Sequence, residues 1–246
     1  MDYSELEERI RKLEQENVRL DAVNQIQNLV ATYAFYHAAN MNTECVELFA
    51  VKTPGVAIDI PHVGVFEGAN AAERCYKYAH NAQMKTEEDK KGFMMLRPFT
   101  TPLIQVAKDG LTAQGAWISP GISTGGNPEA GYGANWAWIK YACDFVNEEG
   151  AWKIWHLRAY GIFLTDFHKS WVETSVEKLK EDPAEAAARA RAQAERQKNM
   201  DPRCQKDRSN DDYVWEYSVD RVYPTDQPTP FKPYETWDDA MSVIGP

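Results

Sequence analysis

The stretch YACDFVNEEGAWKIWH, Tyr141 to His156, decides how this chain is read. Two runs rich in aromatic and apolar residues flank Glu148-Glu149-Gly150, a turn that uses glycine's tolerance of positive φ. The pattern is a pair of long antiparallel strands closing a sheet. Along Asn135 to Val146, alternation puts Ala137, Ile139, Tyr141 and Cys143 on one face, and Trp136, Trp138, Lys140 and Asp144 on the other. The first set reads as facing a pocket, an assignment that one β-bulge would reverse. Trp152, Ile154, His156 and Arg158 share a face of the second strand. If that face is inward, His156 is a candidate acid or base; the other reading is a hydrogen-bonded core histidine. Tyr141 also has two readings: donor to a substrate oxygen, or a packed ring with a wet tip.

Upstream, Phe99 to Val106 and Leu111 to Ser119 read as strands joined by the tight turn Lys108-Asp109-Gly110. Pro120 to Gly133, rich in Gly, Pro and Ser, reads as a loop on a pocket rim. Val56 to Ile60 alternates as a strand, and Val65 to Gly68 leads into a helix near residues 69–82. Ile26, Leu29, Val30, Tyr33, Tyr36 and His37 lie on one helical face. Asn40-Met41-Asn42 breaks that helix, and Cys45 to Phe49 suggests a short second one. Helices first, then a run of antiparallel strands, is an α+β order.

The ends differ from the middle. Over residues 4–24, Leu6, Leu13 and Leu20 occupy one heptad position, while Ile10, Asn17 and Asn24 occupy the other. This is either a short coiled coil between subunits, making the protein a homo-oligomer, or one amphipathic helix lying on its own domain. Residues 168–198 read as helical, with Pro183 opening a new helix after Asp182. Residues 201–246 combine prolines with Tyr213, Trp215, Tyr217, Tyr223, Phe231, Tyr234 and Trp237; a disordered tail would be poorer in aromatics. This tail is expected to wrap over the domain or a neighbour. Three parts result: 1–24, a pocket-bearing domain over 25–167, and an extension over 168–246.

The 246 residues carry 37 acidic and 27 basic side chains, a net charge of −10. Such a surface repels phosphate backbones and argues against nucleic-acid binding. There is no apolar run long enough to span a bilayer, and MDYSELEERI does not read as a secretory signal. Cys45, Cys75, Cys143 and Cys204 form no CxxC pair, so they read as buried small hydrophobes in a reduced, cytoplasmic protein. No cluster has metal-ligand spacing, no Gly-rich loop follows a strand, and neither metal nor cofactor is expected.

IQNLVATY (Ile26 to Tyr33), GVFEG (Gly64 to Gly68), TTPLIQV (Thr100 to Val106) and YACDFVNEEGAWKI (Tyr141 to Ile154) resemble, in order and spacing, the SnoaL-like group of the nuclear-transport-factor-2 superfamily. The resemblance implies a cone-shaped α+β domain, whose curved antiparallel sheet and N-terminal helices enclose an apolar pocket. It also implies cofactor-free dehydratase, isomerase, cyclase or dehalogenase chemistry, or small-molecule binding without catalysis. Members such as scytalone dehydratase and hexachlorocyclohexane dehydrochlorinase use a histidine base paired with an aspartate. The positions that match hold Ala38 and Arg97 here, so that dyad is missing.

Arg97 is always charged and is no base; in a pocket it would hold a phenolate, carboxylate or developing oxyanion, and otherwise it is a surface or ion-paired arginine. Tyr33 and His37 are one helical turn apart and can face one pocket. His37 is a candidate acid or base, or a helix-end histidine touching solvent. Phe35, Tyr36, Phe99, Trp117 and Tyr160 are expected to wall an aromatic cavity suited to planar or multi-ring ligands. His62, His80 and His168 sit at loop or helix-surface positions. In chain length, the extensions and the arginine, the chain resembles the cofactor-independent diarylpropane lyases of lignin-dimer breakdown, which form a stilbene and release formaldehyde; the resemblance implies that activity here. A SnoaL-like dehydratase, isomerase or cyclase acting on a polyketide or steroid-like substrate, and a non-catalytic binding domain, remain the alternatives.

Overall fold

The computed structural model describes residues 2–61, 63–79, 86–125, 133–210, 215–223 and 227–245. His62, His80, Tyr213, the end of the helix expected to residue 82 and half of the expected rim loop, residues 126–132, lie outside these residues.

The heptad segment and the first core helix are one element, α1 (Tyr3–Ala38). Asp2 caps it by accepting from the backbone of Ser4 and Glu5. Asn40, at φ 57°, ends it in the left-handed conformation that asparagine tolerates. Ala22, Ile26, Val30 and Tyr33 form the buried stripe. Leu6, Ile10, Leu13 and Leu20 are exposed, so the first half of α1 projects from the domain.

After α2 (Asn42–Glu47) come β1 (Ala57–Ile60), β2 (Gly64–Glu67) and α3 (Ala71–Glu73), which continues into a π-helical turn, Arg74–Ala79. A short helix, α4 (Glu87–Lys90), and then β3 (Met94–Leu96), β4 (Thr100–Val106), β5 (Thr112–Gly125), β6 (Gly133–Glu148) and β7 (Ala151–Asp166) complete the domain. The strand order is β2-β1-β7-β6-β5-β3, with β4 also on β5. The sheet is curved, unclosed and mixed rather than wholly antiparallel, because β1 enters parallel to β7.

β5 runs past Ser119, where the sequence suggested a loop. Pro120 is tolerated there because it falls between the pairings Thr100↔Ile118 and Leu96↔Ile122, where residues 97–99 leave the ladder. The β6–β7 hairpin closes as expected on Glu149 and Gly150, both at positive φ (57° and 93°). The carboxylate of Glu148, beside that turn, accepts from the backbone N–H groups of Val51, Lys52 and Thr53. Burial pushes its pKa up, but these donors outweigh burial and hold it below the usual carboxylate range.

One register shift changes the site. Asp144 pairs with His156 but Phe145 pairs with Ile154, so Trp155 is an extra residue, a β-bulge. Before it Trp152 and Ile154 enter the core; after it Leu157 and Ala159 do. The even-numbered residues that follow, His156, Arg158 and Tyr160, face the other side of the sheet.

That other side is covered by the tail, which follows α5 (Trp171–Lys180) and α6 (Pro183–Lys198). Val243 and Phe231 pack with Ala142 and Tyr160. Lys140 pairs with Glu216 at 2.7 Å and Arg158 with Asp59 at 3.1 Å. The tail thus wraps its own domain. Among the described residues no helix is long and apolar enough to cross a membrane.

Candidate functional site

The core side of the sheet, beneath α1, is packed with aromatic side chains. Phe99 stacks on Tyr141 with centroids 4.5 Å apart and meets the edges of Tyr33 and Trp117 at 5.7 and 5.8 Å. The hydroxyls of Tyr33 and Tyr76 are 2.9 Å apart. Burial raises both well above the ordinary tyrosine value, so both keep their protons at neutral pH. His37 is half-buried, 5.7 Å from the Tyr33 ring and 6.5 Å from Tyr76 between centroids. Tyr36 packs against the edge of this core.

A groove of about 560 Å³ opens beside this cluster, between α1 and the β3–β4 segment. Ala31, Ala34, Phe35 and Ala38 form one wall, Leu96, Pro98, Phe99 and Pro102 the other, and Val30 and Trp117 the floor. Small residues on α1 leave the space. A bulge at Thr101 (φ 51°), where the β4–β5 register shifts, brings Pro102 into the wall. Phe99 belongs to both regions: it lines the groove and covers Tyr141.

Arg97 is the one charged residue lining the groove among the described residues. Its Nη1 donates to the carbonyls of Leu96 and Ile122, both at 3.0 Å. No carboxylate stands within ion-pair distance of it among the described residues, and Nε and Nη2 are not used in these bonds. Burial lowers its pKa, while neighbouring Tyr141 acts in the opposite sense; a guanidinium remains a cation at neutral pH. Burial pushes Tyr141 up to about 12, against the pull of Arg97, so its hydroxyl is a donor. Gly121 makes the seat: a Cβ there would lie 2.6 Å from Arg97 Nη1 and 2.9 Å from the Leu96 carbonyl oxygen.

Of the residues singled out by sequence, Tyr33, His37, Arg97, Tyr141, Phe99 and Trp117 gather around the groove and the aromatic cluster. Tyr36 is at its margin. His156 and Tyr160 are not there, and their expected inward orientation is corrected by the bulge at Trp155. His156 Nδ1 is 2.8 Å from Asp144 Oδ2, and Nε2 is 3.0 Å from the Gly55 carbonyl. Asp144, fully buried, also accepts from Gln114 and from the backbone of Val243. Ser242 approaches the same nitrogen that Asp144 holds, at 3.3 Å, so the three do not form a nucleophilic relay, which needs opposite ring nitrogens. The tyrosine at 160 donates to the Val243 carbonyl at 3.4 Å. This constellation fastens the tail.

Sequence reading missed Tyr76, Ser119 and Gly121. The signal for Ser119 was present: with Trp117 inward, alternation puts a polar residue inward two positions later. Burial raises the thiols of Cys45, Cys75 and Cys143, to about 12 for Cys45, which removes them as thiolate nucleophiles. No metal-binding group of His, Cys, Asp and Glu occurs among the described residues.

A family model of the SnoaL-like domain matches residues 18–158. The chain belongs to the SnoaL-like family. Solved structures similar to this SnoaL-like chain include a candidate scytalone dehydratase from Novosphingobium aromaticivorans, at 16% identity, covering 63% of this chain and 93% of that one, with a TM-score of 0.46. Another is the type-3 hexachlorocyclohexane dehydrochlorinase from Novosphingobium barchaimii, at 13%, 63%, 96% and 0.49 in the same order. A third is a candidate dehydratase of the NTF2-like family from Streptomyces avermitilis, at 15%, 58%, 98% and 0.46. Comparison with curated proteins gave no match.

Proposed function

We propose that this SnoaL-like chain is a cofactor-independent lyase acting on a phenolic diarylpropane-diol. The observation that carries the reading is Arg97: a guanidinium with no carboxylate partner among the described residues, set in an apolar, aromatic-floored groove. A charge so placed suits an anion delivered by a ligand, and the walls suit aryl rings. Arg97 holds the phenolate. The phenolate's electron pair moves through the ring and expels the benzylic hydroxyl, which leaves as water after protonation, giving a quinone methide. A base then takes the proton of the terminal alcohol. The carbon–carbon bond breaks, formaldehyde leaves, and the bonding pair forms the stilbene double bond and restores the phenolate. Diol becomes stilbene, water and formaldehyde, with no net oxidation and no cofactor. Half-buried His37, one residue before Ala38 of the groove wall, is assigned the proton transfers, and Tyr141 and Tyr33 the hydrogen bonds to oxygen.

The test is incubation of metal-stripped protein with a phenolic diarylpropane-diol, following stilbene absorbance and trapped formaldehyde. Equal appearance of both, and no reaction of the phenol methyl ether, is expected. Dehydration without formaldehyde would move the assignment to a SnoaL-like dehydratase; binding without turnover would leave a small-molecule binding domain.

A further inference from the structure

The inward face of β5 carries Trp117, Ser119 and Gly121 in succession, and the β5–β6 register is unbroken across them. Trp117 floors the groove and Gly121 seats Arg97. Ser119 lies between these two, opposite Ile139 and diagonal to Tyr141. It is fully buried, with 0% of its surface exposed. Among the described residues its hydroxyl has no hydrogen-bond partner. Other buried polar atoms in the same condition, on Arg74, Glu181, Asn210 and Glu216, belong to side chains that make a bond or ion pair through another atom or in the same group. Among the described residues with such an atom, Ser119 alone makes none. A buried hydroxyl left unbonded costs about 1–3 kcal/mol, and an alanine of nearly the same size would avoid that cost. Polar groups kept at such a cost concentrate where a ligand completes them.

We propose that Ser119 is a ligand-binding residue: its hydroxyl donates to the same anionic phenolic oxygen that the open edge of Arg97 faces. The inference rests on the phenolate reading of the groove and adds the second polar contact to it. Arg97 supplies charge from β3's end, Ser119 a neutral donor from β5, and Gly121 keeps the two close by leaving room for the guanidinium.

The experiment uses the full chain, with 4-hydroxystilbene and its methyl ether as probes, titrated calorimetrically against wild type, Ser119→Ala and Arg97→Ala. Melting temperature is measured on each without ligand. The expected result is a loss of roughly tenfold in 4-hydroxystilbene affinity for Ser119→Ala. The same variant should have an unchanged or higher melting temperature, since a serine that only supports the fold would lower it. The methyl ether, which presents no anionic oxygen, should bind wild type and Ser119→Ala alike. Wild-type affinity of Ser119→Ala for 4-hydroxystilbene would overturn the proposal, as would a lowered melting temperature with unchanged affinity. The two readings fail separately. If Arg97→Ala still prefers the phenol over its ether as wild type does, the phenolate reading of Arg97 falls. If 4-hydroxystilbene depends on Ser119 but the diarylpropane-diol is not turned over, the lyase assignment falls and the Ser119 contact stands.

Discussion

The two faces of the sheet are built by opposite rules. On the face under the tail, polar groups meet partners: His156 hydrogen-bonds Asp144, Arg158 pairs with Asp59 and Lys140 with Glu216. On the face under α1 the walls are aromatic, and among the described residues Arg97 has no carboxylate partner and the Ser119 hydroxyl no hydrogen bond. A buried ion pair contributes little net stability, but breaking one strands a charge, so such pairs hold an element in one place. An unpaired cation in an apolar groove does the reverse: it leaves stability unclaimed in the free protein and makes it available to a ligand. The titratable group that looks most catalytic by type, His156, is on the face that is already satisfied.

The largest expected effect tests that division directly. Arg97→Ala should lower kcat/KM for the phenolic substrate by about 100- to 1,000-fold, as loss of a charge-stabilising donor does, with the melting temperature near wild type. A small loss would erase the distinction between the faces. His156→Ala should do the opposite. It removes one of the three hydrogen bonds to buried Asp144, so stability in urea should fall by about 2 kcal/mol, while folded protein keeps its ligand affinity. Next is Glu148→Gln, expected to cost about 1.5 kcal/mol at neutral pH through weakened bonds from Val51, Lys52 and Thr53. Glu148's folded pKa is depressed, so its stabilisation is present above the unfolded carboxylate value and is lost as pH falls through the folded value. Denaturation curves of the variant and wild type should therefore converge toward acid; a gap that persists there would mean the loss is steric. The mildest change in binding, Gly121→Ala, should displace Arg97 and the Leu96 carbonyl and weaken phenol binding roughly tenfold, less than removing the guanidinium, because the charge stays in the groove.

Much of the fold was legible because local chemistry marks it. The alternation of β6, the Glu149-Gly150 turn, the buried stripe of α1 and the proline opening α6 follow from periods and φ requirements that neighbours in sequence carry themselves. Within the candidate site, Tyr33 and His37 are visible by residue type and helical spacing, and Arg97 through the resemblance to the SnoaL-like group. The inward face expected for His156 and Tyr160 fails because one inserted residue at Trp155 reverses the positions that follow it, as far as the second register shift at Ile162, and no composition signal marks a bulge. Pro120 was read as ending a strand, since its toleration depends on where two other strands stop pairing.

By itself the sequence determined the α+β order, the closing hairpin and the buried stripe of α1. These depend on residue identity and short-range periodicity. Tertiary structure alone decided which ionisable groups are already paired, and that among the described residues Arg97 has no carboxylate partner and Ser119 no side-chain hydrogen bond. Pairing depends on distances of a few ångströms between residues far apart in the chain, such as Asp144 with Val243, or Gly121 with Arg97. Electrostatic and hydrogen-bonding free energy falls steeply over just those distances.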